Sequence, residues 1–586
     1  MIHYQIQPID PLAHRFAVTL RLSQAKDKQQ FTLPAWLPGS YMIRDFARHL
    51  IGVRAQRPTG EPLSLTQLDK QTWQLDDATG EVELHYQVYA WDLSVRGAHL
   101  DQTHGFFNGS STFLAVVGQE HKPAKVTLLA PEGEQYKAWR VATAMREAGA
   151  ERYGFGDYEA DNYDELIDHP VEMGTFTLAT FEAGGVPHDL VLTGRHLADT
   201  DRICSDLKKI CEYQIELFGG QAPYSRYLFM TQVIGSGFGG LEHRASTALV
   251  CGRGDLPSIN EPGMSEGYRT FLSLCSHEYF HNWNVKRIKP ETFVPYDLSE
   301  ESYTRQLWAY EGITSYYDDL LVYRSGCVDK ETYLQMAAEG MTRVTRGVGR
   351  FKQSLRDSSF NAWTKFYKQD ENAQNAIVSY YTKGAMFALM LDLTLRIETD
   401  GERSLDDLMK MLWEQHGKPG IGTGEHTHQA MMAELLGRDV SDLFAYLDNT
   451  DDLPLEALLA KVGVEMRMRA ANGNNDKGGK GKPAPKANLG ARYRADNFGV
   501  RIEAVSEGGN AHRAGLAAGD RLVALNELEV ASNLDSQLER YAEGSKLPIH
   551  WFRRDELMSG TLELCPAPMD TVVLSPIDGE DNSLWL

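Results

Sequence analysis

Between residues 1 and about 190, apolar and polar positions alternate. Val82, Leu84, Tyr86 and Val88 are interleaved with Glu83, His85, Gln87 and Tyr89. Successive side chains of a strand point to opposite faces, so this period of two predicts a sheet with one face on a core. Residues 175–181 and 189–193 continue it, and an N-terminal, β-sandwich-like domain over 1–190 is expected. Then the period lengthens. Ile203, Leu207, Ile210, Cys211, Leu217 and Phe218 share one helical face, which stops at Gly219-Gly220. A strand over 227–234 leads into the glycine-rich stretch GSGFGGLEH (235–243), and a further apolar run reaches Val250. Helical patterns follow at about 266–283, 303–323, 331–346, 380–397 and 404–415. Sheet first and helices after is a multidomain α+β arrangement.

Near the C-terminus the pattern fades and returns. Residues 471–487, ANGNNDKGGKGKPAPKA, offer almost nothing apolar beyond Ala, so a flexible segment is expected there. Residues 498–505, 521–525 and 549–552 read as short strands of a small closing domain, with 462–468 as its first strand. The divisions expected are 1–190, 191–330, 331–460 and 461–575. His426-Thr427-His428 follows a glycine-rich stretch with no strand leading into it, and reads as a loop.

Composition narrows the class. The chain has 586 residues, 42% of them hydrophobic, which suffices for several cores and excludes a peptide hormone, a disulfide mini-protein and a fully disordered chain. A formal charge of −22 without a Lys/Arg cluster argues against nucleic acid as a partner. Six cysteines without a Cys-x-x-Cys pair signal neither a disulfide framework nor a thiolate metal site, and fit a reducing, cytoplasmic setting. The N-terminus shows no basic region followed by an apolar one, and no run reaches the length of a membrane span, so no membrane association is expected.

The sharpest chemical signal is His277-Glu278-Tyr279-Phe280-His281, with Tyr268, Phe271, Leu272, Cys275 and Tyr279 at helical spacing around it. At 3.6 residues per turn, His277 and His281 stand on the same face, where both imidazoles can reach one Zn²⁺. Glu278, next to the first histidine, falls beside the metal, where it can take a proton from water. An open catalytic zinc needs a third ligand. Spacing does not choose among Glu291, Glu300, Glu301 and Glu311, but context favours Glu311, within the aromatic helical stretch Trp308 to Tyr317. Glu300 and Glu301 sit in an acidic DLSEES run that reads as a solvated helix start.

These residues resemble the glycyl aminopeptidase family of gluzincin zinc metallopeptidases, relatives of aminopeptidase N that carry a PDZ domain. The matching pieces are LPAWLPGSYMIRDF (33–46), GGLEH (239–243), HEYFHNWNVKRIKP (277–290), LWAYEGITSYY (307–317) and YTKG (381–384). The resemblance implies a thermolysin-like catalytic domain and one Zn²⁺ per chain on His277, His281 and Glu311, with Glu278 as base. It implies that Gly239, Gly240, Glu242 and His243 form the exopeptidase motif, in which Glu242 grips the free α-ammonium group of a peptide. It also implies that Tyr381 donates a hydrogen bond to the oxyanion, with Tyr380 as its rival because helix phase is uncertain by one residue. His243 stands where aminopeptidase N has Asn, and the gap from His281 to Glu311 is longer than in that enzyme; both departures suit the glycyl group. Ser315 occupies the place where thermolysin-like endopeptidases usually have Asp.

The activity so implied is hydrolysis of the N-terminal residue of peptides, with small residues such as glycine or alanine preferred. The alternatives are an endopeptidase on the same zinc site with PDZ-assisted recruitment, and an inactive PDZ scaffold. Lys286 and Arg287 could position a peptide carboxylate or form a structural ion pair. Asn497 to Val505, with Ala514-Gly515-Leu516 and Gly519 to Leu522, looks like a bacterial PDZ domain. Phe498, Gly499 and Val500 would then offer backbone N–H groups to a peptide C-terminus, or the groove would be closed and the domain a structural cap.

Overall fold

A computed structural model describes residues 1–76, 78–481, 487–530 and 532–586. The chain forms two compact units, the first comprising 1–302 with 324–327 and 413–422, the second 303–323, 328–412 and 423–586.

In the first unit the alternating N-terminal stretch folds as expected. Gly80–Tyr89 lies antiparallel to Arg15–Ala25, which pairs with Ile2–Asp10, and the last runs parallel to Ala124–Leu128 in an eight-stranded sheet. Its inward side chains, among them Tyr4, Ile6, Val18, Leu20, Leu84 and Tyr86, share a core with Phe106 and Phe107 of a four-stranded sheet. The buried phenols of Tyr4 and Tyr86 donate to the Leu114 and Thr112 carbonyls, at 2.7 and 2.8 Å, so neither polar tip is stranded.

One expected boundary moves. Thr177–Ala183 and Val186–Thr193, read as the end of the N-terminal domain, belong to a second, five-stranded sheet with Tyr227–Ile234, Ser246–Gly252 and Phe238–Glu242. Val186–Thr193 pairs in parallel with Tyr227–Ile234, and the helix Thr200–Leu217 makes the crossover that parallel neighbours need. Alternation identifies a strand but not the sheet that receives it.

The second unit holds most of the helices. The π-helical turn Trp308–Gly312 touches the helix Thr382–Glu398 backbone to backbone: a Cβ on Gly312 would lie 2.6 Å from the Gly384 Cα. Only glycine permits that approach. His428, expected in a loop, lies in the helix Thr427–Leu436 and is buried beside the Trp308 and Tyr310 rings.

Two C-terminal expectations also change. Val464–Ala470 is not the first strand of the closing domain but pairs with Met569–Pro576 in a separate two-stranded sheet, against which helix Lys330–Thr345 packs. The stretch read as flexible over 471–487 is anchored over 471–481: the Gly479 N–H donates to the Val572 carbonyl (2.8 Å) and the Asn474 amide to the Tyr493 carbonyl (2.7 Å). Backbone and polar side-chain bonds hold it where apolar burial could not; residues 482–486 lie outside the described residues. The closing sheet runs in the order Ala491–Asp496, Gly499–Val505, Arg521–Leu525, Lys546–Arg553 and Glu556–Glu563, over its own core of Val500, Ile502, Leu522, Ile549, Trp551 and Leu562. All six cysteines are free thiols, and no described helix is long and apolar enough to cross a membrane.

Candidate active site

The helix Glu266–Phe280 begins at Ser265, whose hydroxyl accepts from the Tyr268 N–H at 3.0 Å. Its inner face, Tyr268, Phe271, Leu272, Cys275 and Tyr279, is buried as the spacing predicts. Two polar contacts lock the rotation of this helix. The Tyr279 hydroxyl lies 2.8 Å from His188 Nε2, and the Gln214 amide donates to the Ser276 carbonyl at 3.0 Å. His277 and His281 therefore project together, with ring centroids 4.6 Å apart and planes at 87°. His281 Nδ1 lies 2.7 Å from the Asn284 carbonyl, which can only accept. The proton is thus on Nδ1, which fixes the tautomer and the ring orientation.

Glu242 ends the edge strand Phe238–Glu242, opposite Thr247, and is 3% exposed. Its Oε1 is buried without a hydrogen-bond partner among the described residues. One carboxylate oxygen each from Glu242 and Glu278 and a ring nitrogen of His281 lie within 4.8 Å of one another. Two glycines make room for these acids. A Cβ on Gly240 would sit 2.0 Å from Glu278 Oε1, and one on Gly39 2.4 Å from Glu242 Oε2. Gly39 also has φ +89°, a left-handed conformation costly for other residues. The Gly240 carbonyl accepts from Arg96 Nη2 at 3.1 Å, and Gly239 lies beside the same guanidinium.

Behind Glu242, Asp168 gathers three partners. Its carboxylate accepts from Lys286 Nζ (2.7 Å) and from the Arg244 N–H (3.0 Å), and lies 3.2 Å from His243 Nδ1. Burial works to raise the Asp168 carboxyl, but Lys286, Arg244 and His243 outweigh it and hold it well below the usual carboxylate range. His243 is itself buried, and burial lowers its pKa against the pull of Asp168. Lys286 is thus a structural ion-pair partner. Arg287 donates to the Asn282 and Pro223 carbonyls, at 2.8 and 2.9 Å, and also serves the scaffold.

In the second unit, Glu311 is buried at 2% exposure within its π-helical turn. Tyr380 is fully buried against Phe366, whereas Tyr381 is partly exposed, its hydroxyl 3.4 Å from that of Tyr367. Burial first, and then the charge of Glu311, push the Tyr381 phenol well above its ordinary pKa, so it stays a proton donor at neutral pH. Glu291 and Glu300 are exposed. Phe498 is 68% exposed at the turn before Gly499–Val505, and Gly499, at φ +131°, would drive a Cβ to 2.2 Å from the Leu522 carbonyl oxygen. Val500 is buried and pairs with both Ala495 and Leu522.

Comparison with known proteins adds to this geometry. Residues 3–175 match the model of the peptidase M61 N-terminal domain, and 270–387 that of M61 glycyl aminopeptidase. The crystal structure of an aminopeptidase N family protein from Idiomarina loihiensis is 47% identical over 100% of this chain and 99% of its own, with a TM-score of 0.97. The chain belongs to the M61 glycyl aminopeptidase family. This M61 protein is a peptidase. An M1 zinc metallopeptidase from Deinococcus radiodurans shares 15% identity over 77% of this chain and 95% of its own, at a TM-score of 0.46. No curated protein matches.

Several parts of the M61 site were not singled out from sequence. Asp168 and Asn284 act through contacts distant in the chain or through a carbonyl, and neither leaves a pattern. Gly39 does leave a trace, as a glycine after Pro38 in a stretch already notable for its family likeness.

Proposed function

We propose that this peptidase is a zinc aminopeptidase that removes small N-terminal residues such as glycine or alanine. The observation that carries the reading is the buried, unpartnered Glu242 oxygen beside Glu278 and His281. A buried carboxylate oxygen without a partner is costly unless a ligand supplies a charged donor, and a peptide α-ammonium group does so. Anchored there, a substrate offers only its first peptide bond to Glu278.

His277, His281 and Glu311 are the proposed metal ligands. Two imidazoles and a buried carboxylate are a donor set that zinc takes with a position left open, and the paired His277 and His281 rings and the burial of Glu311 support the assignment. Zn²⁺ held there would polarise the scissile carbonyl and acidify the attacking water. Glu278 takes the proton from that water and delivers it to the leaving amine, so the base is restored at each turnover. The protonated phenol of Tyr381 donates to the oxygen on which negative charge develops. Gly239 and Gly240 let the substrate backbone pass close to the edge strand, and His243 ties that strand to Asp168.

The closing domain is proposed to be a PDZ domain that receives a peptide C-terminus near Phe498, Gly499 and Val500; the exposed Phe498 beside a Cβ-intolerant Gly499 supports this. The six free thiols fit a cytoplasmic setting.

Hydrolysis of glycyl, alanyl and leucyl anilides, compared with their N-acetylated forms before and after chelation, tests the reading. Losing a charged hydrogen-bond partner at a buried site costs up to about 3 kcal/mol, so acetylation should slow cleavage ~100-fold. Chelation should abolish turnover, and zinc restore it. Equal cleavage of blocked and free substrates would make this an endopeptidase instead.

A further inference from the structure

A second group of potential ligands stands in the N-terminal β domain, on the hairpin of Ala98–Leu100 and His104–Phe107. Its sequence is His99-Leu100-Asp101-Gln102-Thr103-His104. His99, Asp101 and His104 each bring one ligand atom within 4.8 Å of the other two. His99 is 3% and His104 9% exposed, and their ring centroids are 4.9 Å apart.

Asp101 and His104 are held by contacts that leave a lone pair over. Asp101 Oδ1 accepts from the Thr103 N–H and hydroxyl, both at 2.6 Å, and from the His104 N–H at 3.1 Å. Its Oδ2 faces His99 Nε2 at 3.4 Å. That separation is long for a hydrogen bond. It matches the edge of a tetrahedral shell, which at metal–ligand bonds near 2.0 Å spans about 3.3 Å. His104 Nδ1 lies 3.1 Å from Oε1 of Glu172, which is 2% exposed on the neighbouring strand Val171–Gly174. A carboxylate that takes the second ring proton of a histidine is the usual support behind a metal-ligating imidazole, and it leaves Nε2 to bind. The Trp91 indole stacks on His99 at 5.0 Å and fixes that ring in turn.

We propose that His99, Asp101 and His104 bind a second divalent transition-metal ion, Zn²⁺ by their N₂O donor chemistry, with Glu172 orienting His104 and water completing the shell. The ion would staple the hairpin that carries Phe106 and Phe107 into the domain core. Neither ring nitrogen nor carboxylate here takes part in the proposed hydrolysis.

Zinc content of the full-length protein, measured by inductively coupled plasma mass spectrometry after equilibration in micromolar zinc and desalting, tests this. Two equivalents are expected in the wild type, one in a His277→Ala/His281→Ala variant, and none when His99→Ala and His104→Ala are added. If the His277→Ala/His281→Ala variant keeps its circular dichroism but binds no zinc, the hairpin site is refuted. One wild-type equivalent that survives His277→Ala/His281→Ala and vanishes with His99→Ala/His104→Ala would uphold the hairpin site and sink the proposed catalytic one. Asp101→Asn and Glu172→Gln, which preserve shape, guard against a folding artefact. In the His277→Ala/His281→Ala background, zinc titration should find Glu172→Gln weaker by ~10–100-fold. Unchanged affinity in both conservative variants would overturn the assignment.

Discussion

Replacing Gly240 by alanine is the most direct probe of how the glycine-rich strand serves Glu278, the proposed base. The backbone there is an ordinary strand without positive φ, so alanine fits the conformation. Its Cβ does not fit the space. It would lie 2.0 Å from Glu278 Oε1, 2.5 Å from Cδ and 2.7 Å from Cγ, against an ordinary contact of 3.4 Å. The end of the Glu278 side chain must therefore retreat by about 1.4 Å, the difference between those two distances. A displacement of about 1 Å from a productive geometry costs ~100-fold in rate, which corresponds to ~2.7 kcal/mol on the barrier. Because the clashing atoms belong to a side chain and not to backbone, the fold should lose under ~1 kcal/mol, partly offset by the stiffer unfolded chain. The imidazoles are untouched, so zinc content should match the wild type. The assay is steady-state hydrolysis of glycyl anilide, with kcat and KM separated and the melting temperature and bound zinc measured on the same samples. A Gly240→Ala enzyme with kcat within about threefold of wild type would refute the claim that the missing Cβ positions the base.

Tyr381→Phe should lower kcat by ~10²–10³-fold with little change in KM, as expected for a donor used only when the oxyanion forms. Tyr380→Phe should leave kcat nearly intact, and the reverse pattern would exchange the two assignments. His188 offers a pH test away from the proposed metal ligands. Burial lowers its pKa from 6.5 to about 4, so it is neutral in the folded protein. The unfolded chain binds the extra proton between these values, so this contribution is intact above pH 6.5, declines as pH falls towards 4 and is lost below that. At pH 5 the loss is about 2 kcal/mol. The difference in unfolding free energy between wild type and His188→Gln, from urea titrations, should shrink by that amount between pH 7 and 5; an unchanged difference would contradict it.

Much of this protein was legible because its signals are local. The period of two between Val82 and Val88 places a strand with those side chains inward, and the period of 3.6 around His277 and His281 puts both imidazoles on one helix face. Helix and strand periodicities are properties of a few neighbouring residues, and they survive any rearrangement of the rest. Glu242 and Tyr381 were visible only through their motifs, since a lone glutamate or tyrosine carries no periodic signature. What sequence left open depends on partners remote in the chain. The strands 177–183 and 186–193, antiparallel to each other, could close one sheet or begin another, and only the parallel register of Val186–Thr193 with Tyr227–Ile234 assigns them. The polar stretch at 471–481 reads as loose because it lacks apolar groups, yet backbone and side-chain hydrogen bonds to distant carbonyls hold it. Only the tertiary contact with Asp168 gives Lys286 its role, and only the Glu242 carboxylate in the space its Cβ would take accounts for Gly39. Local sequence determined the faces and their chemistry. Tertiary structure decided which faces meet, because burial, charge compensation and excluded volume exist only between groups that folding has already brought together.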